Sequence, residues 1–212
     1  MAKLYLGSRE MTPAMYKVEE SVSDLLGLYS INNGIVTSTN PDNFVLNSNI
    51  TAINADYMFK GLLSEISTLN TNNLVSISGD EVFDGCCSMN NNITSASFPN
   101  LTTVTGNDVF IGAFEDCSNL SSVSFPKLET VSDESFLYST FIYCTSLTSL
   151  SFPSLKSLSS EEYQFNNTLS GVTGCTVHFP SNLQSIIGSW TNITNGMGGT
   201  NTTILFDLPA TT

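Results

Sequence analysis

The sequence predicts an α/β solenoid in which short strands stack into one parallel β-sheet and short helices lie on the opposite side. Phe-Pro recurs at Phe98, Phe125, Phe152 and Phe179, each 27 residues from the last. Apolar positions keep the same interval, so that Ile93, Leu120 and Leu147 share one phase and Leu101, Leu128 and Leu155 another. Each unit carries an apolar face that it is too small to bury alone. Stacking on its neighbours closes the core.

Residues 1–43 lack this period and are expected to form an N-terminal cap or arm. Thr12-Pro13 reads as a helix start and Gly27 as a stop, with Met15, Val18, Val22, Leu25 and Leu26 on one helical face between them. Such a helix would cover the open edge of the first coil or dock onto another subunit. The solenoid itself is assigned to residues 44–187, about five coils. Ile66, Leu69, Leu74 and Ile77 stand 27 residues before Ile93, Ala96, Leu101 and Val104, and Ile50 stands 27 before Ile77.

Within a coil, Leu147-x-x-Leu150-x-Phe152 puts apolar side chains on alternate positions of an extended run, as a strand with one buried face requires. Pro99, Pro126, Pro153 and Pro180 then end each strand, because proline has no N–H for the ladder. Leu101/Val104, Leu128/Val131, Leu155/Leu158 and Leu183/Ile186 follow at i, i+3 and turn the chain back over the core. Ser78-x-x-Glu81, Thr105-x-x-Asp108 and Ser159-x-x-Glu162 have the form of helix starts, a capping hydroxyl with an acid near the positive end of the dipole. In the remaining coil Ser132 precedes Asp133 and Glu134. The helices are expected to end in Phe83-x-x-Cys86, Phe114-x-x-Cys117 and Phe141-x-x-Cys144, the first one turn shorter than the others.

The segment AFEDCSNLSSVSFPKLETV, with its Phe, its Cys and its Leu-x-x-Leu-x-apolar-Pro, resembles the BspA-type, or treponemal, class of bacterial leucine-rich repeat. The resemblance spans roughly two thirds of the chain; the family's usual repeat is shorter, and Gly171 stands where the last coil should have its Cys. It implies a right-handed leucine-rich-repeat solenoid. It also implies that the residues flanking the central apolar one of each strand point out of a concave sheet. Here those pairs are Thr68/Asn70, Ser95/Ser97, Ser122/Ser124, Ser149/Ser151 and Thr176/His178, a ladder of hydroxyls that forms the candidate ligand-binding face.

Composition narrows the function. Hydrophobic residues make up 41% of the 212, enough for a sizeable core, while charged residues are only 12%, so Ser, Thr and Asn carry the surface. Nineteen acids against six bases give a formal charge of −13 and leave no basic cluster for nucleic acid or anionic lipid. No apolar run approaches the roughly 18 residues of a spanning helix, so membrane insertion is not expected. The first ten residues meet Arg9 and Glu10 too early for a signal-peptide core, so either the natural start is missing or export does not use that route.

Of five cysteines, Cys86, Cys117 and Cys144 read as one buried thiol column, with Cys87 and Cys175 off it. No zinc site or other cofactor is expected, for want of a CxxC and with a single His in the chain. No carboxylate is expected on the predicted face, so the acid pair of glycoside hydrolysis is absent from it, and no Ser-His-Asp set is evident; His178 reads as simply solvated and the protein as no enzyme. Asp80/Glu81, Asp108, Asp133/Glu134 and Glu161/Glu162 form an acidic column. It is explained by helix starts rather than by Ca²⁺, which needs converging oxygens.

Residues 188–212 are expected to form a C-terminal cap, with Trp190 and the strand-like run Thr202 to Leu208 sealing the last coil across turns at Gly196, Gly198 and Gly199. This closing segment resembles that of gut-bacterial repeat proteins, and KLYLGSREMTPAMYKVEE resembles the leading segment of tail-associated proteins of phages and prophages of gut bacteria. Two functions are therefore expected as alternatives. One is a binding or adhesion module for a protein or glycan ligand on a host or bacterial surface, acting outside the cell or at its surface. The other is a structural component of a phage virion or tail.

Overall fold

The computed structural model describes residues 43–46, 50–54, 56–61, 63–159, 162–188 and 197–211, together with four short strands nearer the N-terminus. These four are β1 (Tyr5–Leu6), β2 (Arg9–Glu10), β3 (Tyr29–Asn32) and β4 (Ile35–Ser38), hydrogen-bonded in the order β2-β1-β4-β3. The helix expected between Thr12 and Gly27 lies outside the described residues, as do Trp190 and Gly196.

From residue 43 onward the chain is a parallel β-solenoid of about six turns. Its first wall consists of β5 (Asn43–Val45), β7 (Thr68–Asn70), β9 (Ser95–Ser97), β11 (Ser122–Ser124), β13 (Ser149–Ser151), β15 (Thr176–Pro180) and β16 (Thr203–Leu208). Leu69, Ala96 and Val123 are register partners, as are Leu150, Val177 and Ile204, so the inward position is stacked rung on rung. Strands β11 and β13 lie side by side but belong to separate hydrogen-bonded sheets, β5 to β11 in one and β13 to β16 in the other.

A second wall replaces what reads in the sequence as a simple turn. The residues a few positions after β5, β7, β9, β11 and β13 form, in turn, β6 (Ala52–Ile53), β8 (Ser76–Ile77), β10 (Thr103–Val104), β12 (Thr130–Val131) and β14 (Ser157–Leu158), one continuous parallel sheet. The expectation of one parallel sheet is thus corrected to parallel strands on two walls. The first coil is also shorter than 27 residues: Ile53, not Ile50, pairs with Ile77, and Phe44 pairs with Leu69.

The third wall corrects the expected helices. From residue 81 to 90 alternate N–H groups cross to the next rung, Glu81 to Asn107 O, Phe83 to Val109 O, Gly85 to Ile111 O and Cys87 to Ala113 O, each at 2.8 Å. The intervening ones close local turns, such as Cys86 N to Phe83 O at 3.1 Å. Every fourth residue takes the left-handed conformation: Glu81, Gly85 and Met89, then Asp108, Gly112 and Asp116. Glu81 and Asp108 are therefore not residues of a helical first turn. The physical reason is spacing. Parallel rungs lie about 4.8 Å apart, whereas a helix is about 10 Å across and spends its N–H groups on itself. A ladder of turns bonds each rung to the next at the strand spacing, so no helical wedge splays the stack. The only described helical residues are the 3₁₀ turns Glu162–Phe165 and Ser181–Leu183 and the single α-turn Gln184–Ile187, which turns Ile187 rather than Ile186 into the core.

The core is built of phenylalanine columns. Phe98, Phe125, Phe152, Phe179 and Phe206 stack face to face with centroids 4.8–6.0 Å apart, and Phe59, Phe83 and Phe110 form a second column set edge-on to the first. Phe206 stands one period beyond Phe179. The closing strand β16 is therefore bonded as a further rung, in parallel register with β15.

Candidate functional site

On the rungs β7, β9, β11, β13 and β15 a buried residue is flanked by two that point outward, because successive side chains of a strand alternate between faces. All ten residues expected on this face are found there. Ser122, Ser124 and Ser149 are exposed, and Thr68, Asn70, Ser95, Ser97, Ser151, Thr176 and His178 are half-buried between neighbouring rungs. The register sets Thr68, Ser95 and Ser122 in one row and Asn70, Ser97 and Ser124 in the other. Beyond β11, Ser149 lines up with Thr176, and Ser151 with His178.

Some of these polar groups are already engaged. Ser124 Oγ donates to Ser97 Oγ at 3.3 Å, and Asn70 Oδ1 accepts the Asn72 N–H at 2.8 Å, which closes the turn after β7. The rows also run further than the sequence reading placed them. Val45 precedes Asn70, and Thr203 and Leu205 follow Thr176 and His178.

His178 is not simply solvated. Its Nδ1 lies 2.9 and 3.0 Å from the two carboxylate oxygens of Asp207, on the next rung. A carboxylate only accepts, so Nδ1 carries the proton and Nε2 is left with its lone pair while the ring is neutral. The expectation that no carboxylate stands on this face is corrected by Asp207. The signal that could have found it was the position of Phe206, one period after Phe179, which sets Thr203, Leu205 and Asp207 outward by alternation.

Five acids of the turn wall, Asp56, Asp80, Glu81, Asp84 and Asp133, bind other parts of the chain. Asp56 Oδ1 accepts the Asp80 N–H at 3.0 Å and Asp80 Oδ1 the Asn107 N–H at 2.8 Å. Asp133 is fully buried and accepts from Asp108 and Val109 at 3.0 Å and from Ser135 at 2.8 Å. Burial lifts its carboxyl above the ordinary carboxylate value, and the three N–H groups offset part of that lift. Lys60 reaches across the first rungs to Glu81 and, at 2.5 Å, to Asp84. Burial works against its charge, but hydrogen bonds to Asp84 and Glu81 outweigh it and hold its pKa above the ordinary lysine value. Glu161 lies outside the described residues. Among the described residues no group of three His, Cys, Asp or Glu side chains is arranged to hold a metal ion.

The thiol column is also corrected. Cys117 and Cys144 do follow one another, donating to Cys87 O and Phe114 O at 3.0 Å, but the position one period earlier is Asn90, not Cys86. Asn90 is buried and uses both ends of its amide: Nδ2 donates to Leu63 O and Ile66 O, and Oδ1 accepts from Asn92 and Ile93. Cys86 sits four residues earlier beside Cys87, their sulfurs 3.6 Å apart. In the last coil Val172 fills the inward place, and Gly171 lies under the ring of Tyr143. All five cysteines are free and buried. No helix of the described residues is long and apolar enough to cross a membrane. Neither a protein-family model, nor a curated protein, nor a solved structure matches this chain.

Proposed function

We propose that this protein is a non-enzymatic binding module of the BspA-like leucine-rich-repeat kind, with a right-handed coil, that holds a protein or glycan on a host or bacterial surface against its first wall. The observation that carries this reading is the double row of outward, mostly hydroxyl side chains, in register from β7 to β11 and again from β13 to β15. Such a row offers donors and acceptors at a fixed strand spacing on a backbone already ordered by its own ladder, so binding pays little to organise the surface. The face is nearly uncharged within a strongly acidic chain. A ligand recognised there is read by hydrogen bonding and shape, not by charge.

The test is an array of neutral glycans and matrix proteins probed with the wild-type chain and with a variant carrying Ser122→Trp, Ser124→Trp and Ser149→Trp. These three positions are exposed, so the fold tolerates the change. Loss of the array signals in the variant supports the face as the binding site. Signals that survive the triple substitution would place recognition elsewhere.

A further inference from the structure

The two ends of the solenoid differ. At the N-terminal end the inward side chain of the first rung, Phe44, is buried at 3% exposure. At the other end Ile204 and Phe206 are only partly buried, and among the described residues no strand lies beyond β16. Strand β16 is six residues long, the longest described, and one edge of it is taken up by β15. The Thr203 N–H donates to Cys175 O at 3.0 Å, which fixes the alternation: Thr203, Leu205 and Asp207 turn their backbone groups toward β15, and Ile204 and Phe206 turn theirs to the open edge.

We infer that this edge pairs with the same edge of a second copy of the chain, strand β16 against strand β16, antiparallel about a two-fold axis at Leu205. Only residues whose backbone groups face outward can exchange both hydrogen bonds. With the axis at Leu205, Ile204 stands opposite Phe206 of the second copy and Phe206 opposite its Ile204, so both outward-facing residues are satisfied. The same register keeps inward side chains on the inward side, extending the apolar core across the junction. It sets Asp207 opposite Thr203, so no like charges meet. A register one residue away would set an outward residue opposite an inward one and expose the apolar row.

Edge strands of soluble proteins are commonly defended by an outward charge. Here the only charge on β16 is Asp207, and His178 draws it back toward β15. The edge is left undefended by the residue placed to guard it. Because pairing about a two-fold axis uses the β16 edge of both copies, the association closes at two copies and does not run on into a filament.

Sedimentation velocity over about a hundred-fold range of concentration tests this, since a short edge gives concentration-dependent pairing. The wild-type chain is expected to move from 22.8 kDa toward twice that mass. Leu205→Lys sets two ammonium groups face to face on the axis, and Thr203→Asp sets a carboxylate opposite Asp207; both positions are outward, and both variants are expected to stay monomeric with unchanged melting. An equimolar mixture of Leu205→Lys and Leu205→Asp is expected to recover the pair. A wild-type chain that is monomeric at every concentration overturns the proposal. So does association that Leu205→Lys and Thr203→Asp leave untouched. Should Leu205→Lys not fold, Thr203→Asp decides alone.

Discussion

The rings of Phe83 and Phe110 lie 5.3 Å apart and within 2° of parallel, one period removed in sequence. Phe110 also meets Phe98, Phe125 and Phe136 edge-on, so it joins both columns of the core. Removing it opens a cavity between rungs that cannot collapse without shifting every rung above. Phe110→Ala is expected to lose about 3–5 kcal/mol of stability. Tyr163→Ala, at an exposed ring, is expected to change it by less than about 0.5 kcal/mol. Chemical denaturation of the two variants measures both.

Met89 is exposed and has φ +61°, a conformation that costs an L-residue roughly 1–2 kcal/mol. Glycine removes that strain and restores about 0.5–1 kcal/mol of it as backbone entropy. Met89→Gly is therefore expected to leave the protein equally stable or up to about 1.5 kcal/mol more so, the reverse of what glycine does inside a helix. A stability loss of helical size would contradict the turn ladder.

Gly106 is required for a different reason. A Cβ built there would lie 1.9 Å from the carbonyl oxygen of Gly79 on the rung below, and a backbone atom cannot swing aside. Gly106→Ala is expected to force those rungs apart at a cost of about 1–3 kcal/mol, read as a lower melting temperature.

The pH dependence expected of Asp133 runs opposite to that of a surface carboxylate. Its folded-state pKa is raised, by burial first, above the ordinary 3.8. The folded chain therefore takes up this proton before the unfolded chain does, and Asp133 adds stability as the pH falls through its raised value toward 3.8. Asp133→Asn removes this contribution. Subtracting its stability profile from that of the wild type between pH 7 and about pH 4 should show the wild type gaining on acidification.

Burial pushes the Cys117 thiol up to about 12 and the Cys175 thiol up to about 11, and raises those of Cys87 and Cys144 as well. Thiolate is the reacting form, and here it is scarce and covered. A colourimetric thiol reagent at pH 8 is expected to find almost no reactive cysteine in the folded protein and all five after denaturation. Fast labelling of the native chain would show that the rungs around Cys117 open.

Much of the first wall was legible in the sequence, because alternation and a fixed interval are both written in the apolar residues: Leu69, Ala96 and Val123 needed no structure to be aligned. The outward rows were named from the family resemblance, and their positions on the first wall agree with strand alternation. The third wall was not legible. Ser78-x-x-Glu81 and Thr105-x-x-Asp108 imitate helix starts, while Glu81 and Asp108 adopt a left-handed conformation that sequence assigns to glycine or asparagine. Only contacts between rungs enforce it, and those are non-local. Cys86 misled in a similar way: its spacing from Phe83 matched the later coils, but the rung ladder aligns it with Ala113. Asp207 was missed because the period was read as ending at residue 187, although Phe206 continues it.

The repeated register of β7, β9 and β11 makes the length of this body an independent variable. Duplicating one 27-residue block between Thr68 and Ser124 would extend the stack by a single strand spacing, about 4.8 Å, with rungs whose register is already repeated there. Unequal recombination between such tandem copies can therefore alter reach without altering chemistry, a freedom that a globular core of the same size does not have.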